Sequence, residues 1–338
     1  MKPTKGYFII SLDFELFWGV FDVKKLADYK KNLLNVREII PRLLELSRTY
    51  GIKLTFATVG CLFARSRNEL LAFIPDLKPT YEDGSLNPYL LLSDMSNSPE
   101  NNACYFAHDL LESIKNEGSH EISSHTFSHY YCNEKGQNIN QFKADLEANI
   151  KIAKANGIEL KSIVFPRNQI NKDYLQVAKD LGFTSYRGTE KHKIHSPKDL
   201  KELERKDNRI LRLFDSFFNL TGNHTYNIKD LCSNILQDVP SSRFLRPYSK
   251  TLKFLEPLKI KRIKSAMTEA AENNEMYHLW WHPHNFGDNL EENFKNLELL
   301  FQHYAELRDK QQFESVTMTE FTGVVNPETS VLETSVCA

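Results

Sequence analysis

Alternation of short apolar runs with amphipathic segments is the feature of this sequence that most restricts its fold. Tyr7 to Phe14 (YFIISLDF) reads as a strand, after which apolar residues recur at helical spacing from Leu33 through Val36, Ile39, Ile40, Leu43, Leu44 and Leu46. Pro41 predicts a kink or restart in that helix, Gly51 predicts its stop, and Ile52 to Val59 (IKLTFATV) has the β-branched and aromatic content of a second strand. The alternation continues with helices over 105–115, 139–156, 172–181, 260–272 and 291–307, and strands over 162–165, 184–187, 277–281 and near 315–318. Strands joined through helices of this length run parallel, so the pattern predicts an α/β fold with a parallel sheet, open or closed.

Two segments break the rhythm. A polar, proline-containing stretch over 78–102 reads as a surface excursion, and 188–258 reads as an insertion with the character of a lid, carrying the charged run KDLKELERKDNR and the aromatic cluster LFDSFFNL. At 338 residues the chain has room for one barrel domain over 1–322 with these two insertions, followed by a polar, frayed tail over 323–338.

Lysine plus arginine number 43 against 44 acidic residues, which gives no global field for nucleic acid or an anionic membrane. The apolar run that follows Met1 to Gly6 is about eight residues long, too short for a signal-peptide core or a membrane span, and predicts a cytoplasmic protein without stable membrane insertion. Five scattered cysteines, Cys61, Cys104, Cys132, Cys232 and Cys337, form no C-x-x-C pair and argue against a disulfide framework or a cysteine zinc site. Nothing in the sequence indicates an oligomeric state.

Chemistry-bearing residues fall at predicted strand ends. Period-two alternation sends Ile10, Leu12 and Phe14 to one side of the first strand and Ile9, Ser11, Asp13 and Glu15 to the other, so two carboxylates share one side. His125 and His129 in HTFSH are four apart, a spacing that puts two imidazoles on one face of a helical turn where they can share a divalent ion. Arg167 in FPRNQIN follows another strand, and HLWWHPHNFG sets His278, His282 and His284 around a third, with His282 directly at its exit before Pro283. Active sites of parallel α/β proteins gather at the carboxyl ends of strands, and four such ends here carry Asp13 and Glu15, His125 and His129, Arg167, and His282.

At these residues the sequence resembles the polysaccharide deacetylase superfamily, of the NodB-homology or carbohydrate esterase family 4 type. SLDFE resembles a D-x-E variant of the first motif, SHTFSH the H-[ST]-x-[ST]-H motif, FPRNQ the arginine motif with Asn168 and Gln169 in place of the usual followers, and LWWHPHNFG the closing histidine motif. Glu190 is the nearest candidate for a separate acidic motif. The resemblance implies an irregular (β/α) barrel with fewer than eight strands. It implies that Glu15, His125 and His129 hold a divalent metal, Zn²⁺ by preference, and that Asp13 is the general base, the reverse assignment of Asp13 and Glu15 remaining open. Arg167 would keep Asp13 ionised and His282 would protonate the leaving amine.

The implied activity is removal of an N-acetyl or N-formyl group from an amino sugar or glycan precursor in surface-polysaccharide biosynthesis. A metal-free amidase of the same superfamily and a degenerate carbohydrate-binding protein are the rival expectations. Phe214, Phe217, Phe218, Trp280, Trp281 and Phe286 are the candidate stacking faces for a sugar.

Overall fold

The structure, a computed structural model, describes residues 5–95, 98–195, 205–231 and 235–327; Cys232, Cys337 and most of the expected tail lie outside these. Nine strands among them form one parallel sheet: β1 (Gly6–Phe14), β2 (Thr55–Thr58), β3 (Glu121–Ser124), β4 (Ser162–Ile163), β5 (Ser185–Tyr186), β6 (Gln237–Asp238), β7 (Arg243–Phe244), β8 (Met276–Trp281) and β9 (Phe313–Ser315). Eight follow one another in the order β6-β5-β4-β3-β2-β1-β8-β7, and β9 pairs with the start of β1. The sheet curls into an unclosed barrel. Its strand count exceeds the expected number because the segment over 188–258 is not wholly irregular: it contributes β6 and β7, one at each end of the path.

Helices of eight residues or more lie between the strands: α1 (Leu26–Leu34), α2 (Val36–Tyr50), α3 (His108–Glu117), α4 (Ile139–Ala155), α5 (Lys172–Asp180), α6 (Lys206–Asp215), α7 (Glu256–Asn273), α8 (Leu290–Gln311) and α9 (Met318–Val325). None of the described helices is long and apolar enough to cross a membrane. Helix α2 shows the logic. Val36, Ile39, Ile40, Leu43 and Leu44 repeat at three- and four-residue spacing and are all buried, each such side chain contributing roughly 1.5–3 kcal/mol. Gly51 ends it in the left-handed region at φ 68°, where a Cβ is unfavourable. The expected break at Pro41 occurs instead at Asn35, whose side chain donates to the Gly287 carbonyl at 2.8 Å; Pro41 sits inside an unbroken α2.

Strand β1 is central and buried along its length except at partly buried Tyr7. Phe8, Ile10, Leu12 and Phe14 join the main core under the helices, while Ile9 points into the barrel with Ala57, Val164, Val239, Met276 and Val316. Helix α9 stops that end: Met318 and Phe321 fill it, and Thr317 with Glu320 forms a reciprocal cap. Residues 323–325, expected in the tail, belong to this helix. Because α9 blocks the end where the strands begin, the opposite end carries the open cavity. Register aligns the chemistry there. Asp13 lies beside Ala57, Thr58 beside Ser124, Ser124 beside Ile163, and Leu12 beside Trp281, so each strand delivers its next residues to one rim.

Candidate active site

Glu15 is one residue past β1, where Leu16 turns the backbone at φ 47°. Its carboxylate meets both motif histidines: Oε2 is 3.3 Å from His125 Nε2 and 3.2 Å from His129 Nε2, all three side chains being buried. Their donor atoms lie within 4.8 Å of one another. Space for the carboxylate comes from Gly19, where an added Cβ would fall 1.9 to 2.3 Å from Glu15 carboxyl atoms. Burial alone would raise the Glu15 carboxyl, but His282, His125 and His129 outweigh it and hold the group well below its ordinary range.

The two histidines are not on a helical turn. They occupy a loop after β3, with Thr126 and His129 both at φ 61°, so it is the loop rather than helical periodicity that brings the imidazoles together. Asp145 of α4 holds that loop, accepting the Phe127 N–H at 2.7 Å, the Ser128 N–H at 3.2 Å and the Ser128 hydroxyl. Thr126 Oγ1 accepts the Tyr130 N–H at 2.7 Å, and Ser124 Oγ accepts from Asn149 at 2.7 Å. The excursion contributes as well, since Tyr81 Oη accepts the Tyr131 N–H at 2.8 Å. His125 Nδ1 is 2.8 Å from the Val164 carbonyl, which can accept but not donate, so Nδ1 carries a proton and Nε2 is the nitrogen turned to Glu15. That Nε2 is buried and makes no hydrogen bond of proper geometry.

Asp13 is held by Arg187, not by Arg167. The Arg187 guanidinium grips both carboxylate oxygens at 2.6 and 2.9 Å, also donates to Ser11 Oγ at 3.1 Å and Asn168 Oδ1 at 3.1 Å, and lies 4.2 Å over the Trp280 ring. Burial pushes the Asp13 carboxyl up, yet Arg187 and His125 bring it below its ordinary value. Behind this pair His278 Nε2 is 2.8 Å from Ser11 Oγ, and burial with the nearby Arg187 lowers the imidazole to about 3. His278 is therefore a neutral support beneath the site.

Arg167 stands in the left-handed region at φ 55° and donates instead to Asp22 at 2.8 Å and the Gly19 carbonyl at 3.1 Å; Asp22 is fixed further by the Tyr131 hydroxyl at 2.9 Å. The expected Arg167–Asp13 pair is thus replaced because the chain turns at Pro166 and carries Arg167 towards the loop after Glu15. His282 Nε2 is 3.6 Å from Asp13 Oδ2 and 3.6 Å from Glu15 Oε1, with its ring partly exposed. His284 is buried 3.9 Å from Glu15, and burial lowers it to about 3.

These residues line a cavity of about 330 Å³, shared with Glu190, His195, Arg212, Ser216, Arg243, Phe244, Arg246 and Trp280. Of the six aromatic candidates only Trp280 lines it. Alternation along β8 sends His278 and Trp280 inward and Trp281 outward, where it stacks on buried Phe286; Phe217 is buried elsewhere, and Phe214 and Phe218 are exposed. Arg187, Asp22, Tyr131 and Asp145 carried no recognisable spacing, although Arg187 closes a predicted strand just as Arg167 follows one.

Residues 21–186 match the family model for polysaccharide deacetylase, a span that contains His125, His129 and Arg167 and ends before Arg187. A search of the curated proteins gives no match. Among solved structures, a Mycobacterium smegmatis protein assigned to the polysaccharide deacetylases superposes with a TM-score of 0.57 at 13% identity, covering 97% of this chain and 93% of that one. A Pseudomonas aeruginosa PAO1 protein of the same assignment gives 0.51 at 12%, covering 94% and 88%. A GH57-type branching enzyme from Pyrococcus horikoshii gives 0.52 at 12%, covering 94% and 69%. At these identities the likeness concerns the fold, which serves more than one chemistry.

Proposed function

Because the chain belongs to the polysaccharide deacetylase superfamily, we propose that it is a metal-dependent hydrolase removing an N-acetyl or N-formyl group from an amino sugar or glycan precursor. The observation that carries this reading is the cluster of Glu15, His125 and His129, in which the buried His125 Nε2 has no hydrogen-bond partner and faces a carboxylate and a second imidazole. Two nitrogens and one carboxylate oxygen with a cavity alongside suit a catalytic Zn²⁺ site that keeps a position open. Those three residues would hold the ion, which when bound polarises a carbonyl and lowers the pKa of water towards about 7.

The protein's own groups account for the rest. Asp13 is kept ionised by Arg187 and accepts the proton of the attacking water, while Glu15 serves as ligand because it, and not Asp13, touches both histidines. His282, 3.6 Å from each carboxylate and facing the cavity, protonates the leaving amine. Arg167, tied to Asp22, acts as a wall of the substrate pocket rather than as a partner of the base. Trp280 offers the sugar a stacking face. The substrate is a precursor of surface-polysaccharide assembly.

The test is acetate and formate release from free, nucleotide-linked and lipid-linked N-acyl amino sugars, measured alongside metal content. Release should stop on chelation, return with Zn²⁺, and be lost in His125→Ala. A protein with no stoichiometric metal and a fully active His125→Ala variant would overturn the proposal.

A further inference from the structure

His282 stands at the start of a tight turn, Pro283–Gly287, that another element holds in place. The Tyr29 hydroxyl of α1 donates to Asn285 Oδ1 at 3.2 Å, Asn32 Nδ2 donates to the His284 carbonyl at 3.3 Å, and Asn35, just past α1, donates to the Gly287 carbonyl at 2.8 Å. A spacing of three residues puts these side chains along one face of helical backbone, so α1 grips the turn at three successive points. Gly287 permits the close approach, since an added Cβ would fall 2.5 Å from Asn32 Cα.

Within the turn the Asn285 N–H donates to the His282 carbonyl at 3.0 Å, and the Asn285 side chain comes back beside the imidazole, with Nδ2 3.3 Å from His282 Nδ1. Among the described residues this is the one side-chain hydrogen bond of His282, whose Nε2 stands 3.6 Å from both Asp13 and Glu15. His284, Phe244 and Trp280 pack round the ring, their centroids 5.3, 5.8 and 5.7 Å from its own. Such packing fixes where the ring lies but is nearly indifferent to a half turn about Cβ–Cγ, which exchanges Nδ1 with Cδ2 and Nε2 with Cε1. A hydrogen bond at Nδ1 is not indifferent, because a carbon in that place cannot make it.

We propose that Asn285, braced by Tyr29, is a positioning residue that holds the His282 ring with Nε2 turned to the cavity and the two carboxylates. This rests on the hydrolase reading, in which a proton passes from Nε2 to the amine nitrogen as that nitrogen takes the electron pair of the breaking C–N bond. The ring is then neutral and keeps a proton on Nδ1. An Asn285 amide turned over offers Oδ1 to that Nδ1–H, and the Tyr29 hydroxyl, acceptor as well as donor, receives the Asn285 Nδ2–H. Both residues act through His282, where a small misplacement of the donor nitrogen is enough to slow proton transfer.

Kinetics of the wild type, N285A, N285D and Y29F on an amide and an ester test it, with metal content measured on the same samples. The amide is the N-acyl amino sugar from which the wild type releases most acyl group; the ester is 4-nitrophenyl acetate, whose weakly basic phenolate departs without a proton. In N285A, kcat on the amide should fall roughly 10- to 100-fold with KM nearly unchanged, and the fall on the ester should be several-fold smaller. N285D, which keeps an acceptor oxygen, should recover most of the loss, and Y29F should lose amide turnover in the same sense but by less. Metal content should match the wild type in all three variants. An N285A protein whose amide turnover holds or falls by the same factor as its ester turnover, or a loss that N285D does not recover, would overturn the positioning role and leave the hydrolase reading standing. A wild type that releases no acyl group would remove that reading and this proposal with it.

Discussion

Replacing Arg187 with methionine isolates the interaction on which the proposed base depends. Methionine keeps much of the side-chain volume and removes the guanidinium, leaving the Asp13 carboxylate, 4% exposed, without its two contacts at 2.6 and 2.9 Å. Removing one partner of a buried ion pair costs about 3–5 kcal/mol, or roughly 4–7 °C of melting temperature for a chain of 338 residues. The pH dependence has a definite sign. In the wild type Asp13 titrates below its ordinary value, so its contribution is present above about pH 4 and is lost as pH falls through the lowered folded value. In Arg187→Met, burial dominates and raises the carboxyl, so protonation relieves the strain and the deficit should narrow from pH 7 towards pH 5. Urea and thermal unfolding of the wild type, R187M, D13N and R187M/D13N at both pH values would measure this, with a coupling of about 2 kcal/mol or more expected between the two sites. An R187M protein within 1 kcal/mol of wild type at pH 7, or a double variant whose loss is the sum of the singles, would refute the reasoning.

Gly19→Ala should cost little stability, about 1 kcal/mol or less, because the clashing atoms are the end of a flexible side chain; by displacing the Glu15 carboxylate it should nonetheless weaken metal binding in a chelator competition. Asp145→Asn leaves one of the two loop N–H groups or the Ser128 hydroxyl poorly paired, and metal affinity should fall about 10- to 100-fold as the loop carrying both histidines loosens. His120 is lowered to about 4, chiefly by burial, while its Nδ1 accepts the Leu54 N–H at 3.2 Å. The unfolded chain takes up that proton first, so stability is lost as pH falls from about 6.5 to 4. His120→Asn should flatten unfolding curves in that window by at most about 3 kcal/mol.

The main strands and helices were legible because periodicity survives wherever one face is buried, as in α2 and β1. Strand β3 was not, since EISS is short and polar and its burial comes from neighbours on both sides. Strands β6 and β7, of two residues each, lie inside the 188–258 segment, where the regular alternation lapses. At the site, strand-end logic named Asp13, Glu15, His125, His129 and His282, which the structure brings to one cavity, but paired Asp13 with Arg167 where the structure pairs it with Arg187. Arg167 and Arg187 both follow short strands, and only the left-handed turn at Arg167 decides which one reaches the base. Alternation could have separated Trp280 from Trp281, because His278, Trp280 and His282 share one parity along β8 and its exit.

Metal content of the wild type, Asp13→Asn and Glu15→Gln, measured by plasma emission on the folded proteins, tests the central claim most directly. One divalent ion per chain is expected in the wild type and in Asp13→Asn, with the ion lost from Glu15→Gln and acyl release lost from both variants. A wild type without metal, or an ion retained in Glu15→Gln and lost from Asp13→Asn, would contradict the assignment of Glu15 as ligand and Asp13 as base.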